Sequence, residues 1–90
     1  MSVDVEISSI FSRYTGNRTN LKVEGKTVGE AVRSLARQFP EFGEMVLEKS
    51  GDLSSAFDIF INGESAYPNT MTLPVKAGDK LHIVLLVHGG

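Results

Sequence analysis

The sequence predicts an α+β fold in which one main helix packs on a mixed sheet of four or five strands. Residues 3–7 alternate apolar and polar side chains, with the period of two that is typical of a strand with one buried face. Residues 28–39 instead repeat their apolar side chains every three or four positions, as an amphipathic helix does. Because the sequence has 90 residues, 41% of them apolar, we expect a single domain over residues 1–90 with one modest core.

The first two strands are predicted to form a hairpin. Val3, Val5 and Ile7 define the buried face of the first strand. Residues 14–17 supply turn residues, and residues 19–24 can return antiparallel as a second strand.

The main helix is predicted to begin after Thr27. Thr27 and Glu30 have the spacing of a capping box, in which both side chains accept hydrogen bonds from free amides at a helix start. Pro40 ends the helix, residues 42–47 suggest a short helical turn that closes the core, and residues 49–52 form a loop. The apolar stripe of the main helix consists of Val28, Ala31, Val32, Leu35, Ala36 and Phe39.

Two further strands are predicted in the second half of the chain. One spans Phe57–Ile61 and is closed by an Asn-Gly turn at residues 62–63. Residues 76–79 form a turn into the last strand, residues 80–87, which is apolar almost throughout. The order is therefore β-β-α-β-β, with first and last strands that both have the composition of central strands.

Alternation divides the side chains of these strands between two faces of the sheet. We expect the core to receive Phe57, Ile59, Ile61, Leu81, Ile83, Leu85 and Val87. The opposite face then carries Phe60, His82, Val84 and Leu86. Apolar side chains gathered on an exposed face usually mark an interaction site, so these four residues are predicted to dock partners. An alternative is that part of residues 53–74 covers this face.

Composition excludes several classes of function. The absence of cysteine removes disulfides, thiolate metal sites and cysteine nucleophiles, and is compatible with a reducing cytosol. A net charge of −2 without a basic cluster argues against nucleic acid as a partner. The acidic start and the short apolar runs predict a cytoplasmic protein without a signal peptide or a membrane span.

No constellation of catalytic or cofactor-binding residues is evident in the sequence. His82 and His88 are the only imidazoles, and no third metal ligand lies near them in sequence. Phosphate-binding glycine loops and serine–base motifs are missing too. We therefore expect neither an enzyme, nor a metal site, nor a bound cofactor.

Several motifs, taken in order, resemble those of the prokaryotic ubiquitin-like sulfur carriers. They are the helix start at residues 27–32, Phe39 and Pro40, Leu47, the strand and turn at residues 60–63, Gly78 and Asp79, and the final Gly89 and Gly90. The resemblance implies the β-grasp, or ubiquitin-like, fold. Residues 7–16 and the long span between helix and third strand look most like the carrier that serves cysteine biosynthesis.

The resemblance also implies a role for the tail at residues 88–90. An ATP-using, E1-like partner that acts as adenylyltransferase and sulfurtransferase would adenylate the carboxylate of Gly90 and convert it to a thiocarboxylate. An acceptor biosynthetic enzyme would then take the sulfur, with cysteine as the favoured product and molybdopterin next. Gly89 and His88 would give the tail access to a partner's active site, and the carrier would be a monomer or part of a transient heteromer.

Two other functions remain open from the sequence. A protein modifier would use the same activated Gly90 to form an isopeptide bond with a lysine of a target protein. A non-covalent interaction domain would have inert terminal glycines, which as a frayed tail are common at chain ends.

Overall fold

The computed structural model describes residues 2–86. These residues form a mixed five-stranded sheet with helices on one face. The strand order is β2-β1-β5-β3-β4; β1 and β5 run parallel, and all other neighbours are antiparallel. The α+β prediction is confirmed, including the central positions of β1 and β5. The strands are β1 (Ser2–Ile7), β2 (Asn20–Glu24), β3 (Phe57–Ile61), β4 (Glu64–Ser65) and β5 (Lys80–Leu85). The helices are α1 (Val28–Gln38) and α2 (Pro40–Val46), with 3-10 helices at Ser9–Tyr14 and Thr70–Thr72.

The predicted hairpin of β1 and β2 forms, but its connection contains an unpredicted element. Ser9–Tyr14 is a 3-10 helix that begins where the Ser8 hydroxyl accepts a hydrogen bond from the backbone N–H of Ile10 at 3.4 Å. The ring of its one buried residue, Phe11, lies 5.7 Å from that of Phe57 and 6.3 Å from that of Phe42. This short helix therefore closes the core at the end of the sheet where β3 begins.

The start of α1 has the predicted cap. The Thr27 hydroxyl accepts a hydrogen bond from the backbone N–H of Glu30 at 3.1 Å. The Glu30 carboxylate in turn accepts one from the backbone N–H of Lys26 at 3.0 Å. Along α1, Val28, Ala31, Val32 and Leu35 are fully buried, whereas Ala36 and Phe39 are half-buried. Pro40 ends α1 as predicted and also occupies the first turn of α2, where its missing N–H costs no hydrogen bond.

The predicted core is correct for β3 and for most of β5. Phe57, Ile59, Leu81 and Ile83 are buried, and Ile61 packs against them half-buried. Leu85, however, is 39% exposed, so its predicted core position is wrong. The physical reason is that the ladder between β1 and β5 ends at Ile7 and Ile83, which leaves Leu85 paired on one side only, with Phe57. Val87, also predicted in the core, lies outside the described residues.

Candidate functional site

Three of the four predicted docking residues lie together on the outer face of the sheet, opposite α1. Phe60 on β3 pairs directly with His82 on β5, and Val84 follows two residues later on the same face. All three side chains are half-buried. We call Phe60, His82 and Val84 the outer-face patch; they line one open depression together with Asn62, Gly63 and Lys80.

The segment 53–74 does not cover the outer-face patch. Leu53, Met71 and Leu73 pack against the core, and the 3-10 helix Thr70–Thr72 contacts α1. β4 lies beside β3 as the edge strand of the sheet, where Ser65 pairs with Phe60. The patch is therefore available to a partner.

Leu86, the fourth predicted docking residue, follows Val84 by two residues and lines a neighbouring groove that also includes Asp58. It is 40% exposed, and its backbone N–H donates to the carbonyl of Ala56 at 2.7 Å. The groove is formed by residues 52–58 and 65–72. The structure thus divides the four residues between the outer-face patch and this neighbouring groove.

Charged side chains border the patch on the side of β1. The two carboxylate oxygens of Glu6 lie 3.8 Å from Lys80 Nζ and 3.8 Å from His82 Nε2. Farther along the sheet, Lys22 Nζ lies 3.6 Å from an oxygen of Asp4. Such exposed pairs contribute at most about 1 kcal/mol each, so their main effect is to give the apolar patch a polar border.

Sequence reasoning missed Glu6 as a neighbour of the docking residues. Its proximity to His82 depends on the parallel register of β1 and β5, which pairs these two residues directly. The residues are 76 positions apart, counted from their numbers in the chain. No local pattern could have signalled this contact.

Residues 2–86 contain neither a candidate metal cluster nor a helix that could span a membrane. In this part of the chain, no group of three His, Cys, Asp or Glu side chains is placed to hold a metal ion. None of its helices combines the length and the apolar character needed to cross a bilayer. The predicted tail residues His88, Gly89 and Gly90 lie outside the described residues.

Comparison with known proteins identifies a relative by sequence. No family model matches the chain. It is 30% identical over 77 residues to a protein of Archaeoglobus fulgidus named "Putative sulfur carrier protein", an alignment that covers 82% of this chain and 88% of that protein.

Two solved structures share the fold over nearly the whole chain. One is a chain of the BexX/CysO complex of Amycolatopsis orientalis, with a TM-score of 0.86, 25% identity and coverage of 98% of this chain and 99% of that one. The other is SAMP1 from Haloferax volcanii, with a TM-score of 0.83, 25% identity and full coverage of both chains. The first shows that a CysO protein of this fold forms a complex with a partner protein, BexX.

A mixed five-stranded sheet packed on one main helix defines the class of β-grasp proteins. The chain belongs to the ubiquitin-like sulfur carrier family, with CysO, SAMP1 and MoaD-like proteins as fellow members. Since this family is non-catalytic, the prediction that the chain is not an enzyme is confirmed.

Proposed function

We propose that this chain carries sulfur as a thiocarboxylate on Gly90 and donates it in a biosynthetic pathway, most readily that of cysteine. The observation that carries the proposal is the alignment to a sulfur carrier over 82% of the chain. The Gly89–Gly90 pair, four residues or fewer beyond Leu86, supports it from the sequence. The choice of pathway rests on the resemblance of residues 7–16, and of the span between helix and third strand, to the carrier that serves cysteine biosynthesis.

The chemistry needs an activating partner because a free α-carboxylate is unreactive. With a pKa of about 3.3 to 3.7, the carboxyl group is an anion at neutral pH and has no good leaving group. In the first step, a carboxylate oxygen of Gly90 attacks the α-phosphorus of ATP and pyrophosphate leaves. In the second, hydrosulfide attacks the acyl carbon, AMP leaves with its electron pair, and one proton is released.

A carrier that is activated by a partner enzyme needs no cysteine of its own. Sulfur held on the C-terminal carbonyl requires no thiol side chain, and the sequence contains no cysteine. ATP is bound and used by the partner. Glycine at positions 89 and 90 places no Cβ beside the acyl carbon, and its backbone adopts conformations closed to other residues, which suits a narrow active-site channel.

Docking is assigned to the outer-face patch. A tail of four residues after Leu86 reaches at most about 13 to 14 Å when extended. The reacting carbonyl can therefore enter a partner's active site only if that partner binds the domain close by. The patch of Phe60, His82 and Val84 offers the apolar surface for this contact.

Intact-mass spectrometry tests the proposal directly. The protein is incubated with ATP, a sulfide source and the E1-like enzyme encoded in the same genome. We expect a species in which one oxygen is replaced by sulfur, and we expect it to be absent when Gly90 is deleted. If the enzyme adenylates Gly90 and no sulfur is incorporated, the carrier function is wrong.

The likeness to SAMP1, a small archaeal modifier protein, favours a second candidate function. A modifier would join Gly90 to a lysine of a target protein through an isopeptide bond. The readout is a ladder of conjugates in cells that express a tagged copy of the chain. Conjugates that disappear on deletion of Gly90 would establish this function, whereas a phenotype unaffected by loss of both glycines would indicate non-covalent binding alone.

A further inference from the structure

The groove beside Leu86 is a second candidate interaction surface. It has a volume of about 670 Å³ and lies between the loop at residues 52–55 and the segment at residues 65–72. Tyr67 is 78% exposed there, and Leu86 is 40% exposed. Large apolar side chains with this much exposure are typical of contact surfaces. The apolar lining consists of Leu53, Phe57, Tyr67, Pro68, Met71 and Leu86.

The charged side chains that line the groove are all acidic. Its ionisable acids are Asp52 and Asp58, and no lysine or arginine of residues 2–86 lines it. The Asp58 carboxylate accepts hydrogen bonds from the backbone N–H of Ile59 and from the hydroxyl of Ser65, both at 2.8 Å. These bonds hold the carboxylate in place. Neither acid forms an ion pair with another residue of the described part of the chain.

The groove adjoins the outer-face patch and includes Leu86, the last described residue. Asp58 pairs with Val84, a member of the patch. Leu86 directly precedes the residues that lead to Gly90. A protein that covers the patch would therefore lie next to the groove.

We propose that the groove binds a basic, apolar segment of the activating enzyme. An arginine or lysine of that segment faces Asp52 and Asp58, where an opposite charge is the complementary one. An arginine also fits the face of the Tyr67 ring, since guanidinium groups stack on aromatic rings. This inference rests on the proposed function, because it takes the activating enzyme as the partner.

The test measures the dissociation constant between the purified chain and the E1-like enzyme encoded in the same genome. Asp52→Lys lies in an exposed loop, and we expect it to weaken binding about tenfold or more, since it places a like charge opposite the basic segment. Tyr67→Ala is expected to weaken binding by a similar factor. Glu44→Lys makes the same change of charge at an exposed position of α2, away from the groove, and is expected to stay within about twofold of the wild type.

Three results would overturn the proposal. The first is an affinity for Asp52→Lys equal to that for Glu44→Lys. The second is weakening by Asp52→Lys alone, with Tyr67→Ala and Asp58→Asn both at the wild-type value. The third is a change confined to self-association of the chain, measured by sedimentation, which would make a second copy the occupant. Because thiocarboxylate formation is measured on the wild-type chain, the groove can fail while the carrier function stands.

Discussion

At the scale of single residues, Asn62 and Asp79 join the two turns that flank β3 and β5. The Asn62 amide donates to one oxygen of Asp79 at 3.0 Å, and the backbone N–H of Lys76 donates to the other at 2.9 Å. The Asn62 side-chain oxygen accepts from the backbone N–H of Lys80 at 2.9 Å. The sequence identifies these residues only as turn formers, because a bond between positions 62 and 79 requires the strands to be paired first.

These bonds predict a pH dependence of stability. The hydrogen bond from Asn62, and then that from Lys76, lower the pKa of Asp79 below its ordinary value. A folded-state pKa below the unfolded one stabilises the fold fully above about pH 3.9, and this contribution is lost as the pH falls through the folded-state pKa. We therefore expect Asp79→Asn to lower the Tm at pH 7, and the difference from the wild type to shrink below about pH 4.

The variant Asn62→Gly isolates the larger cause. Asn62 has a φ of 50°, a conformation that glycine adopts freely, so this change removes the side chain without straining the turn. In a titration of the Asp79 carboxyl carbon by NMR, its pKa should rise toward the ordinary value. An unchanged titration curve would show that the Asn62 bond is not the cause of the lowered pKa.

At the scale of elements, the sequence predicts an element when the contacts that stabilise it are close in the chain, and fails to predict it when those contacts are distant. The start of α1 is predictable because Thr27 and Glu30 bind amides within four residues of themselves. The 3-10 helix Ser9–Tyr14 is not predictable, since its one buried side chain, Phe11, finds its partners Phe42 and Phe57 elsewhere in the chain. Short 3-10 segments also lack an apolar stripe long enough to recognise.

The contact between α1 and α2 supplies a second prediction. A Cβ atom added at Gly43 would lie 2.5 Å from Ala36 Cβ and 3.0 Å from Ala36 Cα, so the helices would have to move apart. Overpacking of this kind costs about 1 to 3 kcal/mol, which outweighs the gain of up to about 1 kcal/mol in helix propensity. Gly43→Ala should thus lower the free energy of unfolding by about 1 to 2 kcal/mol in urea denaturation.

A double-mutant cycle with Ala36→Gly tests the cause. Alone, Ala36→Gly should destabilise α1 by about 1 kcal/mol. Combined with Gly43→Ala it should cost less, because it removes the Cβ that the new side chain meets. Simple additivity of the two changes would rule out the steric explanation.

At the scale of the whole molecule, the alternation of β3 and β5 places Phe60, His82 and Val84 correctly on the outer face. It does not predict the surroundings of these residues. The charged border of the patch depends on the register of β1 with β5, and the separation of Leu86 depends on how residues 52–58 and 65–72 fold beside it. Both arise from contacts between distant parts of the chain, which alternation along a single strand cannot specify.

The outer-face patch leads to the last prediction, that Phe60→Asp separates docking from folding. Phe60 points away from the core, and its half-buried ring contributes apolar area to the depression it shares with His82 and Val84. An aspartate there would place an unpaired charge in an apolar contact. We expect this to weaken the binding free energy for the activating enzyme by about 2 kcal/mol or more, which is roughly thirtyfold in affinity.

The matched control for Phe60→Asp is Ile10→Asp. Ile10 is 65% exposed on the 3-10 helix Ser9–Tyr14, outside both the patch and the groove. Both variants add the same charge in place of an apolar side chain outside the hydrophobic core, so both should retain the wild-type circular dichroism spectrum. Only Phe60→Asp should weaken binding and slow thiocarboxylate formation at limiting enzyme concentration. Equal affinities for the two variants would assign docking to another surface, because an apolar patch that carries binding energy must respond to a charge at its centre.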